Sequence, residues 1–302
     1  MDVDQRQSQP VAIAGDVRRR PFQEISRASS FGGQQLTLIH DSAATGTPMR
    51  VSVYQPPAAE RGAVPVVYFL SGLTCTEENF TVKAGAQRMA SELGLMIVAP
   101  DTSPRGDRVP NSDDDALGQG AGFYVDSTEA PWSDHFQMFS YVSDELPRLI
   151  ECTFPVIRGK CGILGHSMGG HGALTIAMRH PERYGSVSAF SPIVAPSAVP
   201  WGRKAFAAYL GPDEAAWREY DATLLLRDRG FPTQILIDQG TDDPFLQTQL
   251  QTERFIDALK ARGQSAKVRM QAGYDHSYFF VATFIDDHLR HHAHILHQGS
   301  GG

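Results

Sequence analysis

A serine, a histidine and a short run of aspartates stand where together they could carry acyl transfer. Residues 165–169 read Gly-His-Ser-Met-Gly, a G-x-S-x-G pentapeptide. An apolar strand pattern (161–165, CGILG) precedes it, and a small-residue helix pattern from about Gly169 to Arg179 follows. A strand turning sharply into a helix exposes the hydroxyl of Ser167 and aims the N–H of Met168 at charge developing on a substrate oxygen. A serine hydroxyl is a weak nucleophile at neutral pH, so it needs a base, and the base needs an orienting carboxylate. After such a turn the chain order is serine, acid, histidine. Residues 235–243 (ILIDQGTDD) end an apolar strand in an acidic loop, offering Asp242 and Asp243; Asp238, inside the strand, is the weaker candidate. Order alone does not separate Asp242 from Asp243. Residues 273–277 (GYDHS) put His276 just before the last helix pattern. A second oxyanion donor is expected from the loop after an early strand. Residues 70–75 (LSGLTC) follow VVYF; Gly72 permits close backbone approach, and the Leu73 N–H is the candidate donor. His166 and His171 flank the serine, but a sequence neighbour does not reach it from the side a base must occupy.

The elements that must position these groups alternate in type. Residues 35–40 and 49–54 alternate apolar and polar as half-buried strands do, and 64–70 and 95–99 are continuous apolar runs suited to a buried parallel sheet. Helices are expected over Ala84–Leu93, ending at Gly94, and over Ser140–Glu151, Gln247–Ala261 and Ser277–His297. Further strands are expected at 185–190, 234–239 and 267–271. The pattern predicts an α/β-hydrolase fold, a mostly parallel central sheet flanked by helices, with its site at the carboxyl ends of the strands. Order is weak up to about residue 30. Residues 1–24 read as a flexible or loosely docked arm, 25–297 as a single domain and 298–302 as a flexible tail.

Composition narrows the function classes. The 302 residues carry 27 basic and 34 acidic side chains, a formal charge of −7, without a basic stripe, which excludes nucleic acid and an anionic membrane as expected partners. No apolar stretch is long enough to span a bilayer. The polar N-terminus lacks the apolar core of a signal peptide, and three widely spaced cysteines (Cys75, Cys152, Cys161) suggest neither a disulfide framework nor a metal site, fitting a reducing, cytoplasmic setting. His288, His291, His292, His294 and His297 crowd the last helix, with His288 and His292 one turn apart. No H-E-x-x-H occurs and no acidic or thiol partner is evident, so no metal is expected. The acidic run Asp113-Asp114-Asp115 lacks calcium-loop spacing and reads as a solvated loop.

Seven segments then give the sequence a family likeness: SGLTCTEENF (71–80), PDTSPRG (100–106), GAGFYVD (120–126), GHSMGGHGAL (165–174), PWG (200–202), DQGTDDPFL (238–246) and GYDHSYFF (273–280). In this order, from about residue 24 to 297, the chain resembles the S-formylglutathione hydrolases, also called esterase D. The resemblance implies a cytoplasmic, cofactor-free serine thioesterase, often a homodimer. Its substrate would be S-formylglutathione, cleaved to glutathione and formate in formaldehyde detoxification, with side activity on short acyl esters. It matches Ser167, Asp243 and His276 to nucleophile, acid and base, favouring Asp243 over Asp242, and Leu73 and Met168 to the oxyanion donors. It also puts Cys75 near the site and Trp201 in the acyl or thiol pocket. Two stretches depart from the family text: the long arm before residue 24 and the loop Asp107 to Gln119. The alternative readings are a general short-chain carboxylesterase, an acyltransferase of the same fold, or a catalytically silent binding protein on that scaffold.

Overall fold

A computed structural model describes residues 21–298. Nine strands form one sheet: β1 (Gln23–Ser30), β2 (Gly33–Asp41), β3 (Pro48–Gln55), β4 (Val64–Leu70), β5 (Met96–Pro100), β6 (Val156–His166), β7 (Tyr184–Phe190), β8 (Ile235–Gly240) and β9 (Ala266–Gln271). Their spatial order is β1-β2-β3-β5-β4-β6-β7-β8-β9. β1 to β3 run as antiparallel neighbours and β3 meets β5 antiparallel. From β5 through β9 every pair is parallel. The helices are α1 (Glu77–Lys83), α2 (Gln87–Leu93), α3 (Met138–Ser140), α4 (Leu146–Thr153), α5 (Met168–Arg179), α6 (Pro200–Leu210), α7 (Glu214–Trp217), α8 (Ala222–Asp228), α9 (Thr252–Arg262) and α10 (Tyr278–Gln298). This is the α/β architecture expected from the sequence.

The central strands are apolar on both faces because both faces are covered. In β4, Val66, Tyr68 and Leu70 enter one core with α4, α5 and α8, while Val67 and Phe69 enter the other with α1, α2 and α10. Alternation along a strand makes that division. α1 begins at a capping box, where Thr76 Oγ1 accepts from Glu78 N and Asn79 Oδ1 accepts from Thr76 N. α2 ends at Gly94, which takes the left-handed conformation (φ 66°).

Several expectations need correction. Weak order does not extend to residue 30: Gln23–Ser30 is an edge strand paired with β2. The helix expected over Ser140–Glu151 starts at Met138, passes through a wide turn at Tyr141–Glu145 and ends at Thr153. The helix expected over Gln247–Ala261 is broken, because Gln251 sits at φ 50°, between a wide turn (Leu246–Leu250) and α9. The remainder of the expected arm (1–20) and residues 299–302 of the tail lie outside the described residues.

Candidate active site

Four strand ends supply the site. β6 leads straight into Ser167, which stands at φ 60°, ψ −119° before α5. A non-glycine residue there is strained and is held by its surroundings. Ser167 N donates to Phe190 O on β7 at 3.0 Å, and its carbonyl accepts from His171 N and Ile193 N. The turn leaves no room for side chains: a Cβ on Gly165 would lie 2.1 Å from Gly169 O, and one on Gly169 would lie 1.9 Å from Leu70 O.

The segments after β8 and β9 bring Asp243 and His276 together. His276 Nδ1 lies 2.6 Å from Asp243 Oδ2. The second carboxylate oxygen accepts from Phe245 N at 2.9 Å, and Gln239 Nε2 donates to Oδ2 at 3.2 Å. Burial works to raise the Asp243 carboxyl, but His276 and the Phe245 N–H outweigh it and hold it below the usual range. A proton on Nδ1 shared with Asp243 leaves Nε2 as the acceptor, the tautomer a general base requires. Asp242 is exposed, and its side chain meets only the Thr241 hydroxyl among the described residues. Asp238 faces away from the base, paired with Arg269 at 2.5 Å and with His288.

β4 ends in the loop Ser71–Cys75, fixed from three sides. Tyr124 OH donates to Ser71 O, Thr74 N to Gly120 O, and Arg105 Nη2 to Cys75 O. Gly72 presses on the nucleophile turn, where a Cβ would stand 3.1 Å from Ser167 Cβ. Among the described residues, neither Leu73 N–H nor Met168 N–H has an acceptor. Leu73 is partly buried and Met168 fully buried, and both N–H groups belong to the segments that meet at Ser167.

Ser167, His276, Leu73, Cys75 and Trp201 line one cleft of about 440 Å³, with Phe245 and Tyr278. Trp201 packs on Phe245 at 4.7 Å, and Phe245 meets His276 edge-on at 5.1 Å. Cys75 is partly buried, and that burial pushes its thiol up, away from a nucleophile's range. A larger hollow of about 740 Å³ between Met178, Arg229 and Gln264 lies at the opposite ends of the strands and holds no nucleophile with a base. Sequence reasoning missed Phe245 and Tyr278 as cleft residues. Their only signal was adjacency to Asp243 and His276.

The flanking histidines have other places. His171 Nε2 donates to Phe123 O at 2.9 Å, tying α5 to the segment that carries Tyr124. His166 is buried with its ring 4.5 Å from that of His276, and burial first, then His276, pushes it well below the ordinary histidine range. On α10, His288 and His292 turn inward to Ser188 and Ser186. Among the described residues no group of histidine, cysteine and acidic side chains is arranged to hold a metal.

The "Putative esterase" family model matches residues 42–291. S-formylglutathione hydrolase of Paracoccus denitrificans is 57% identical over 275 residues, covering 91% of this chain and 98% of that one. The mouse S-formylglutathione hydrolase is 52% identical over 278 residues, covering 91% and 99%. This chain belongs to the S-formylglutathione hydrolase family. The solved S-formylglutathione hydrolase structure from Agrobacterium tumefaciens superposes with a TM-score of 0.89 at 51% identity, covering 90% of this chain and 99% of that one. As a member of the S-formylglutathione hydrolase family the chain is a serine hydrolase with the α/β-hydrolase fold. Among its described residues no helix is long and apolar enough to cross a membrane.

Proposed function

We propose that this chain hydrolyses S-formylglutathione to glutathione and formate, with side activity on short acyl esters, as a cytoplasmic homodimer that needs no cofactor. The observation that carries the reading is a strained Ser167 in the cleft that holds His276, beside two N–H groups, Leu73 and Met168, that have no acceptor among the described residues. Family membership at 57% identity supports the substrate. Cys75, Cys152 and Cys161 are free thiols, which suits a reducing compartment.

In this reading His276 Nε2 takes the proton of Ser167 as Oγ attacks the formyl carbon. Leu73 and Met168 donate to the resulting oxyanion, and Asp243 steadies the imidazolium. Collapse breaks the carbon–sulfur bond, and His276 returns its proton to the departing thiolate. Water, deprotonated by the same histidine, then releases formate from the formyl-serine. Trp201 and Cys75 wall the pocket, where one extra methylene on the acyl group is disfavoured by about 1–3 kcal/mol at most.

The test is kcat/KM for S-formylglutathione beside p-nitrophenyl acetate and butyrate, with Ser167→Ala as control. A large preference for the thioester is expected. Equal or faster turnover of the plain esters would make this a general short-chain carboxylesterase.

A further inference from the structure

The mouth of the cleft carries two charges without an ion-pair partner among the described residues. Its lining includes Asn79, Lys83 and Asp115. Lys83 and Asp115 are exposed, and neither forms an ion pair or hydrogen bond with any described residue. The Lys83 ammonium rests over the Tyr278 ring at 5.7 Å from its centre. Three charges nearby are matched: Arg105 with Asp101, Arg50 with Glu77, and Lys204 with Asp114. Asn79 accepts from Thr76 N through Oδ1, and its amide N–H groups have no acceptor among the described residues.

Asp115 is held in place by its neighbours. Asp114 accepts from Ala116 N at 3.0 Å and pairs with Lys204, Gly118 N donates to Tyr209 OH at 2.7 Å, and Gln119 Nε2 donates to Val109 O at 3.1 Å. The acidic run is therefore divided in use. Asp114 anchors the loop, and Asp115 is presented to the cleft.

An acyl group and its sulfur occupy the deep end, at Ser167. A leaving group as long as a tripeptide must run out through the mouth. The glutathionyl arm carries two carboxylates and one ammonium, whereas an alkyl or aryl ester carries none. We propose that Lys83 and Asp115 select the glutathionyl arm, Lys83 with the Asn79 amide binding a carboxylate and Asp115 binding the γ-glutamyl ammonium. This rests on the reading that glutathione is the leaving group.

The test compares wild type, Lys83→Met and Asp115→Asn on three substrates: S-formylglutathione, its N-acetylated analogue without the ammonium, and p-nitrophenyl acetate. Each substitution is expected to lower the thioester-to-ester ratio of kcat/KM about three- to tenfold, chiefly through KM, with the loss shrinking at high salt. Asp115→Asn should bring no such loss on the N-acetylated thioester. A wild-type preference retained in both variants, or an Asp115→Asn loss as large without the ammonium, overturns the assignment alone. A wild type without thioester preference overturns the substrate reading and this assignment with it.

Discussion

Asp243 shares a 2.6 Å hydrogen bond with Nδ1 of His276, while Asp242, the next residue back, holds its carboxylate in solvent. Two identical side chains one position apart thus face opposite environments. Asp243→Asn removes the acceptor that fixes the histidine tautomer and is expected to cut kcat about ten-thousandfold. Asp242→Asn should leave kcat within about twofold, since an exposed substitution away from such contacts is nearly neutral. Steady-state rates of the two purified variants decide; the reverse order would move the acid to Asp242.

The oxyanion role proposed for the Leu73 loop can be tested without touching a reacting atom. A Cβ on Gly72 would lie 3.1 Å from Ser167 Cβ and 3.3 Å from His166 O, so Gly72→Ala must push the loop and the serine turn apart. Loss of one oxyanion donor lowers kcat about 100- to 1,000-fold, and partial misplacement should lower it about 10- to 100-fold. KM should change little. A loss confined to KM would mean that the Leu73 N–H holds the ground state and the transition state equally.

Buried histidines give the stability a pH dependence whose sign is fixed. Burial lowers His166, His171, His288, His291 and His292, with His171 and His291 at about 4. An unfolded imidazole binds its proton near pH 6.5, so below that the unfolded chain gains protons that the folded chain refuses. Stability should be full above about pH 7 and fall towards pH 4, by about 1.4 kcal/mol per pH unit for each proton refused. The depressed carboxylates of Asp238 and Asp243 act lower: their contribution is present above about pH 4 and is lost below it. Urea unfolding at several pH values measures the slope, and His171→Gln should make it shallower. A slope that His171→Gln leaves unchanged would contradict the assignment of His171 as buried and neutral.

The parts of this fold legible in the sequence were those with dense local patterns. β4 reads as VPVVYFL because it is buried on both faces, and the nucleophile turn reads because its glycines admit no Cβ. β1 escaped because QEISRASS is polar and almost wholly exposed, an edge strand defined by its partner rather than by its own periodicity. α7 and α8 escaped because they are short helices that their own sequence does not stabilise. The role of His288 and His292 was not legible because their partners, Ser186 and Ser188, lie about a hundred residues away on β7. The choice between Asp242 and Asp243 depended on which way a loop turns, which residue spacing does not encode.

That last helix leads to a test of the remaining acid. Asp238 is fully buried and held by both arms of Arg269, with His288 and Gln271 completing its contacts. Burial works to raise its carboxyl, but hydrogen bonds from His288 and Arg269 and the Arg269 charge hold it below the usual range. Arg269 also reaches Asp287 on α10 at 2.6 Å, so it ties β8 and β9 to that helix. Arg269→Met leaves the Asp238 charge buried without its main partner and is expected to cost about 3–5 kcal/mol of stability. Enzyme that remains folded should keep its kcat, because Asp238 lies outside the cleft that holds Ser167 and His276. Asp238→Asn with Arg269→Met should recover much of the loss, since removing the second charge removes the uncompensated ion. Thermal melts of the single and double variants beside their kcat values separate the roles. A kcat that falls with little change in melting temperature would make Asp238 part of the catalytic apparatus.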